Sequence, residues 1–235
     1  MFRHSGKKFA GGMIALRGFN VSAGVQVPPV APAGVSARAE LARSVLAVAA
    51  FIALAHLAFS GRYGFFRDEL YYAACGEHLA WGYVDHAPLV ALIACVSRLL
   101  LGDSLFALRL LPALAHASLV VLTAWLAREL GGGRFAQFLA ALCAVIAPIY
   151  LAFGSFLSMN AFEPLFWMAC AALYLRIRNG GSPRLWPLIG LVAGLGILNK
   201  HSMLLFGLGL TLGFLLTSAR EEFSKPWIWL GGSLA

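Results

Sequence analysis

Between Arg67 and Pro88 the chain reads RDELYYAACGEHLAWGYVDHAP. Asp68, Glu69, Glu77 and Asp85 put carboxyl groups into a largely apolar sequence, with His78 and His86 beside them. Carboxylate and imidazole are the groups that take a proton from a hydroxyl or an amine. Further on, Glu163 interrupts the apolar text AFEPLFW three residues after Asn160, and Lys200 stands between Asn199 and His201 where two apolar runs meet. An acid in such text is costly in lipid and marks function; an ammonium group there is a point charge for a phosphate. Each residue also has a plainer reading. Asp68 and Glu69 suit the first turn of a helix, Asp85 a turn that opens one, and Lys200 can snorkel to a membrane surface. Asp, His and Glu are metal ligands too, but their spacing here is not diagnostic, so no metal ligand set is assigned.

These residues need a scaffold, and composition says which kind. The chain is 60% hydrophobic and 12% charged, against about 45–50% apolar and about 25% charged in soluble domains. That excess predicts an integral membrane protein, and the lack of period-two alternation predicts helices instead of a barrel. The net charge of +8 falls in short loops, as orientation signals do, and no nucleic-acid module is present. Cys75, Cys95, Cys143 and Cys170 form no CxxC pair and read as small packing residues.

Residues 1–40, basic and broken by Pro28, Pro29 and Pro32, read as a disordered cytoplasmic leader. A transmembrane domain is expected over 41–235. Its first span is Leu41 to Ser60, about 20 residues and enough for a bilayer about 30 Å thick; His56 within it reads as a packed residue. Leu89 to Leu101 is too short to span and is expected to lie at the surface, which spares Arg98 from lipid. Further spans are expected at Leu105–Leu126, Phe135–Phe156 with a kink at Pro148, about Asn160 to Leu175, Leu185–Leu198 and Met203–Thr217. Gly190 with Gly194, and Gly209 with Gly213, have the spacing of close helix contacts. An apolar run opens at Pro226 and is cut by the end of the sequence, so the chain reads as an N-terminal fragment of a longer protein. Alternating the loops puts Arg128, Arg134, Arg176, Arg178, Arg184, Arg220 and Lys225 on the side of the basic leader. Arg62, Arg67, Arg98, Arg109 and Lys200, with most of the acids, fall on the other. The positive-inside rule makes the leader's side cytoplasmic.

The motifs RDELYY after a first span, VDHAPL, LRLLPAL, SMNAFEPLFW and GLGILNKHS, in this order over about Leu41 to Leu216, resemble the GT-C membrane glycosyltransferases. Dolichyl-phosphate-mannose protein mannosyltransferases, aminoarabinose transferases and bacterial galacturonosyltransferase-like proteins are the most similar groups. The resemblance implies an all-α, polytopic bundle whose first external loop carries short interfacial helices. It implies a sugar donor on polyprenyl phosphate, Asp68 as catalytic base with Glu69 in support, Glu163 in a second acidic site, and Lys200 near the donor phosphate. Asp85 and His86 stand where the family often has a basic residue before proline. Arg67, Asn160 and His201 complete the expected substrate-binding set. No cofactor is required; a divalent ion is left open.

The expectation is an inverting glycosyltransferase of the bacterial inner membrane, multi-pass, with its N-terminus cytoplasmic and its site facing the periplasm. Its partners would be membrane lipids, the lipid-linked sugar, and a lipid, polysaccharide or protein acceptor. A transporter or flippase of lipid-linked sugars, and an inactive truncated lipid-binding remnant, are the competing readings. No internal repeat of the transporter kind is found in the sequence.

Overall fold

The computed structural model describes residues 43–235. The leader expected over 1–40 and the first two residues of the expected first span lie outside the described residues. Among the described residues there are ten α-helices and no strand: α1 Arg43–Phe59, α2 Arg67–Glu77, α3 Leu89–Leu101, α4 Leu105–Glu129, α5 Arg134–Ile146, α6 Pro148–Phe153, α7 Met159–Arg178, α8 Trp186–Asn199, α9 Met203–Leu216 and α10 Pro226–Leu234.

Local chemistry sets these limits. Pro88 precedes α3, and Gly102, at φ 81°, ends it in a conformation that favours glycine. Ser104 and Ser158 cap α4 and α7 by accepting hydrogen bonds from the Ala107 and Asn160 amides. Pro148 does more than kink the expected span Phe135–Phe156. Ala147 before it is extended, at φ −64° and ψ 118°, and the segment is two helices, α5 and α6.

The bundle is built around α4. Val120 and Ala124 of α4 pack with Val45, Ala49 and Ile52 of α1 and with Ala141 and Ala144 of α5. The small side chains let the helix axes approach closely. Beyond it, Cys170, Leu173 and Ile177 of α7 meet Trp186 and Ile189 of α8 and Phe214 of α9. Of the two small-residue pairs, Gly190 and Gly194 lie against α10: a β-carbon at Gly190 would stand 1.9 Å from the Gly231 carbonyl oxygen. Gly209 and Gly213 have open space at the same position. All four cysteines are free thiols.

Among the described residues only α4 is by itself long and apolar enough to cross a membrane. The run from α9 into the 3₁₀ turn Ser218–Ser224 passes the same test as a pair, bent by 108°. The other expected spans are helices that are shorter or, in α7, more polar. α9 exposes Leu204, Leu205, Leu208, Leu212, Leu215 and Leu216, more contiguous apolar surface than water tolerates on a monomer.

Polar residues gather at two ends. One joins the C-terminus of α1, α2, the start of α4, the start of α7 and the α8–α9 turn, through Arg109 with Glu69 and Lys200 with Glu163. The other joins the C-termini of α4 and α7 with the start of α8 and residues 218–225, through Arg176 with Glu129 and Arg178 with Glu222. Arg98 of α3 is drawn to Glu77 and Asp103 and to the Ala73 carbonyl, so its charge pins α3 to α2.

Candidate active site

The two adjacent acids of α2 lie in opposite environments. Helical geometry turns successive side chains about 100° apart, so Glu69 enters the bundle while Asp68 stays at its rim. Glu69 is fully buried and its oxygens are saturated. Oε1 accepts from Arg109 Nε at 2.9 Å and the Leu157 amide at 3.1 Å; Oε2 accepts from Arg109 Nη2 at 2.7 Å and the Phe66 amide at 2.9 Å. A carboxylate offers about four lone-pair sites, so none is left for a substrate proton. Arg109 spends its other donors on the carbonyls of Ser60, Tyr63 and Gly64. This pair fastens α2 to α4 and to the segment ahead of α7.

Asp68 is about one-third exposed and accepts from Arg67 Nε at 3.1 Å, with Arg67 itself 90% exposed. Asp85 accepts from the Tyr71 hydroxyl at 2.6 Å. That bond, ahead of burial, raises the Tyr71 pKa, because it favours the protonated phenol. His86 is buried, stacked on Tyr83 with ring centroids 4.5 Å apart, and meets the edges of Tyr71 and Tyr72. Its Nδ1 donates to the Ala87 carbonyl at 2.9 Å.

On the other side of the site, Lys200 Nζ donates to Asn160 Oδ1 and to Glu163 Oε2, each at 2.8 Å, and the Ser202 hydroxyl donates to Glu163 Oε1. Lys200 is one-third exposed and Glu163 less so. His201 is exposed in the turn beside them. Among the described residues no three His, Cys, Asp or Glu side chains gather closely enough to hold a metal ion.

Tyr72 lies between the two halves, in one buried cluster with Leu157 and Ala161. Burial raises its pKa, and the charges of Asp68 and Asp85 add to the rise. Ser158 Oγ accepts from Asn160 Nδ2 at 3.2 Å, and Asn160 Oδ1 holds Lys200. A hydrogen-bonded line therefore runs Ser158–Asn160–Lys200–Glu163. Arg109 and Ser202 were not singled out from sequence as site residues. Their partners lie 40 and 39 residues away, a separation no local motif expresses.

Such a rim sets carboxylates against an ammonium group at one end of an apolar helical bundle. Residues 85–235 match the family model of the dolichyl-phosphate-mannose-protein mannosyltransferases. The chain belongs to that family. Members are membrane-associated glycosyltransferases of the GT-C superfamily, and the family implies a lipid-linked sugar donor and an acceptor. The matched segment holds Asp85, His86, Asn160, Glu163, Lys200 and His201; Arg67, Asp68 and Glu69 precede it. No curated protein and no solved structure matches the chain.

Proposed function

We propose that this mannosyltransferase-family chain moves a sugar from a polyprenyl-phosphate donor to an acceptor at the outer face of a bacterial cytoplasmic membrane, with inversion and with Asp68 as general base. The observation that carries the reading is the contrast within the acid pair. Glu69 has every lone pair engaged, whereas Asp68 accepts from one exposed arginine and keeps about a third of its side chain open to solvent.

The reaction is a single displacement. A carboxylate oxygen of Asp68 takes the proton of the acceptor hydroxyl or amine as the acceptor atom attacks the anomeric carbon. The bond from that carbon to the donor phosphate breaks, and its electron pair leaves with the phosphate oxygen. Lys200 stabilises the departing charge. Glu163 and Asn160 hold the ammonium in place until the phosphate arrives, and Arg67 orients Asp68. Asp85, set by Tyr71, and His86, set by the tyrosine cage, contact the sugar, as does His201 from the turn. A transferase fed from a cytoplasmic nucleotide sugar pool but working outside needs a donor carried through the bilayer, and a lipid phosphate is anchor and leaving group together. An outward site places the basic end of the bundle, with the N-terminus, in the cytoplasm.

Asp68→Asn in the membrane-embedded full-length protein lowers the transfer rate by about 10²–10⁴-fold, the usual worth of general-base catalysis, with melting unchanged. Transfer at the wild-type rate from a labelled polyprenyl-phosphate sugar would remove Asp68 from this role. Movement of the labelled donor across the bilayer without bond change would make the chain a flippase instead.

A further inference from the structure

A large cavity lies apart from the rim just described. It measures about 1150 Å³ and lies between α1, α6 and the segment 60–66, and none of Asp68, Asp85, Glu163 and Lys200 lines it. That exceeds the about 300–1,000 Å³ of pockets for small ligands. Its walls are mainly apolar, with Ile52, Phe59, Leu151 and Phe156 among them, and no acid lines it. Its cations are Arg62 and Arg109. Arg109 is consumed by Glu69 and three carbonyls. Arg62 is exposed, lies over the Phe59 ring at 5.8 Å, and has no acidic partner among the described residues.

At the inner wall His116 Nε2 donates to the Ala144 carbonyl at 3.1 Å, which leaves its Nδ1 to accept from His56 Nε2 at 2.8 Å. His56 Nδ1 faces Ser155 Oγ at 3.3 Å. These bonds hold the wall of the cavity together without adding a charge to it.

We propose that this cavity binds an acidic membrane lipid, separate from the sugar donor, with its phosphate at Arg62 and its acyl chains along Ile52, Phe59, Leu151 and Phe156. Charge complementarity and an apolar lining free of acids select this occupant over a zwitterionic or neutral one. The donor belongs elsewhere, because its phosphate must reach Lys200, which is not in the cavity. The inference rests on the membrane placement that family membership supplies and does not depend on Asp68 being the base.

The test is native mass spectrometry of the full chain released from nanodiscs of dioleoylphosphatidylglycerol or dioleoylphosphatidylcholine. Retention of the acidic lipid should exceed that of the zwitterionic one by about fivefold, the worth of one basic contact at a membrane surface. Arg62→Gln should abolish that preference, and Ala152→Trp, which fills the cavity without touching a charge, should remove both lipids. Arg184→Gln, at the opposite end, should retain them. Asp68→Asn should also retain them, so a failed transferase reading and a failed lipid site give different results. Acidic-lipid retention unchanged in both Arg62→Gln and Ala152→Trp overturns the proposal. Displacement by inorganic phosphate alone makes this a free-anion site and overturns the lipid. Displacement by polyprenyl phosphate makes it the donor's own site and overturns the separation.

Discussion

Each polar end of the bundle is closed by a buried glutamate, and the two glutamates are held differently. Glu69 shares Arg109, itself only 7% exposed, and two backbone amides. Glu222 is as deeply buried, but its cations, Lys225 at 2.7 Å and Arg178 at 3.6 Å, are each about 40% exposed, and Trp186 Nε1 donates at 3.3 Å. At the first end the fastener is dry on both sides, and acids are left over: Asp68 and Asp85 remain at the surface. At the second Glu129 is spent on Arg176 and Asn179, and the exposed groups left over are three cations, Arg134, Arg184 and Arg220, against one acid, Glu221. That end has the character of an anchor to anionic headgroups.

Removing one partner of each fastener sharpens the difference. Arg109→Met leaves Glu69 as a buried charge facing three freed carbonyls. It should cost about 3–5 kcal/mol, the range for breaking a buried ion pair, seen as a large fall in thermal midpoint with loss of transfer activity. Glu222→Gln keeps an acceptor for Trp186 and leaves two cations that water already solvates. Its cost should be about 1–2 kcal/mol, with transfer per folded molecule unchanged. Equal losses of stability in the two variants would mean that the ends are equivalent fasteners.

The same pair of ends shows what sequence can carry. The limits of α3 were readable because Pro88 and Gly102 punctuate it. The cluster of Asn160, Glu163 and Lys200 was legible as polar residues at the ends of neighbouring apolar runs. The separate fates of Asp68 and Glu69 were not, since adjacent acids are alike until a helix turns one of them inward against Arg109, 40 residues on. Nor was the His56–His116 contact, 60 residues apart, although His56 was visible as a polar residue in an apolar helix. The expected span Phe135–Phe156 was read as continuous where Pro148 breaks the backbone into two helices, whereas the expected Leu185–Leu198 and Met203–Thr217 agree with α8 and α9 to within a residue at each end.

The smallest effect concerns the outer fastening of α3. Arg98 donates to Glu77 at 2.8 Å and to Asp103, and the hydrogen bond from Arg98 holds the Asp103 carboxyl below its ordinary pKa, against a weaker opposing effect of burial. A carboxyl whose pKa is lower folded than unfolded adds stability in full above its unfolded value. That stability is lost as pH falls through the folded one. The contribution of Asp103 should therefore be present above about pH 4 and fade below it. Asp103→Asn removes it at every pH. The gap in thermal midpoint between wild type and Asp103→Asn should be constant from about pH 7 to about pH 5 and close toward about pH 3. Because Asp103 is largely exposed, the gap should also narrow with added salt. A gap that stayed constant down to about pH 3 would mean that Arg98 is held by Glu77 and the Ala73 carbonyl alone, and that the pin between α3 and α2 lies wholly on the bundle side of the loop.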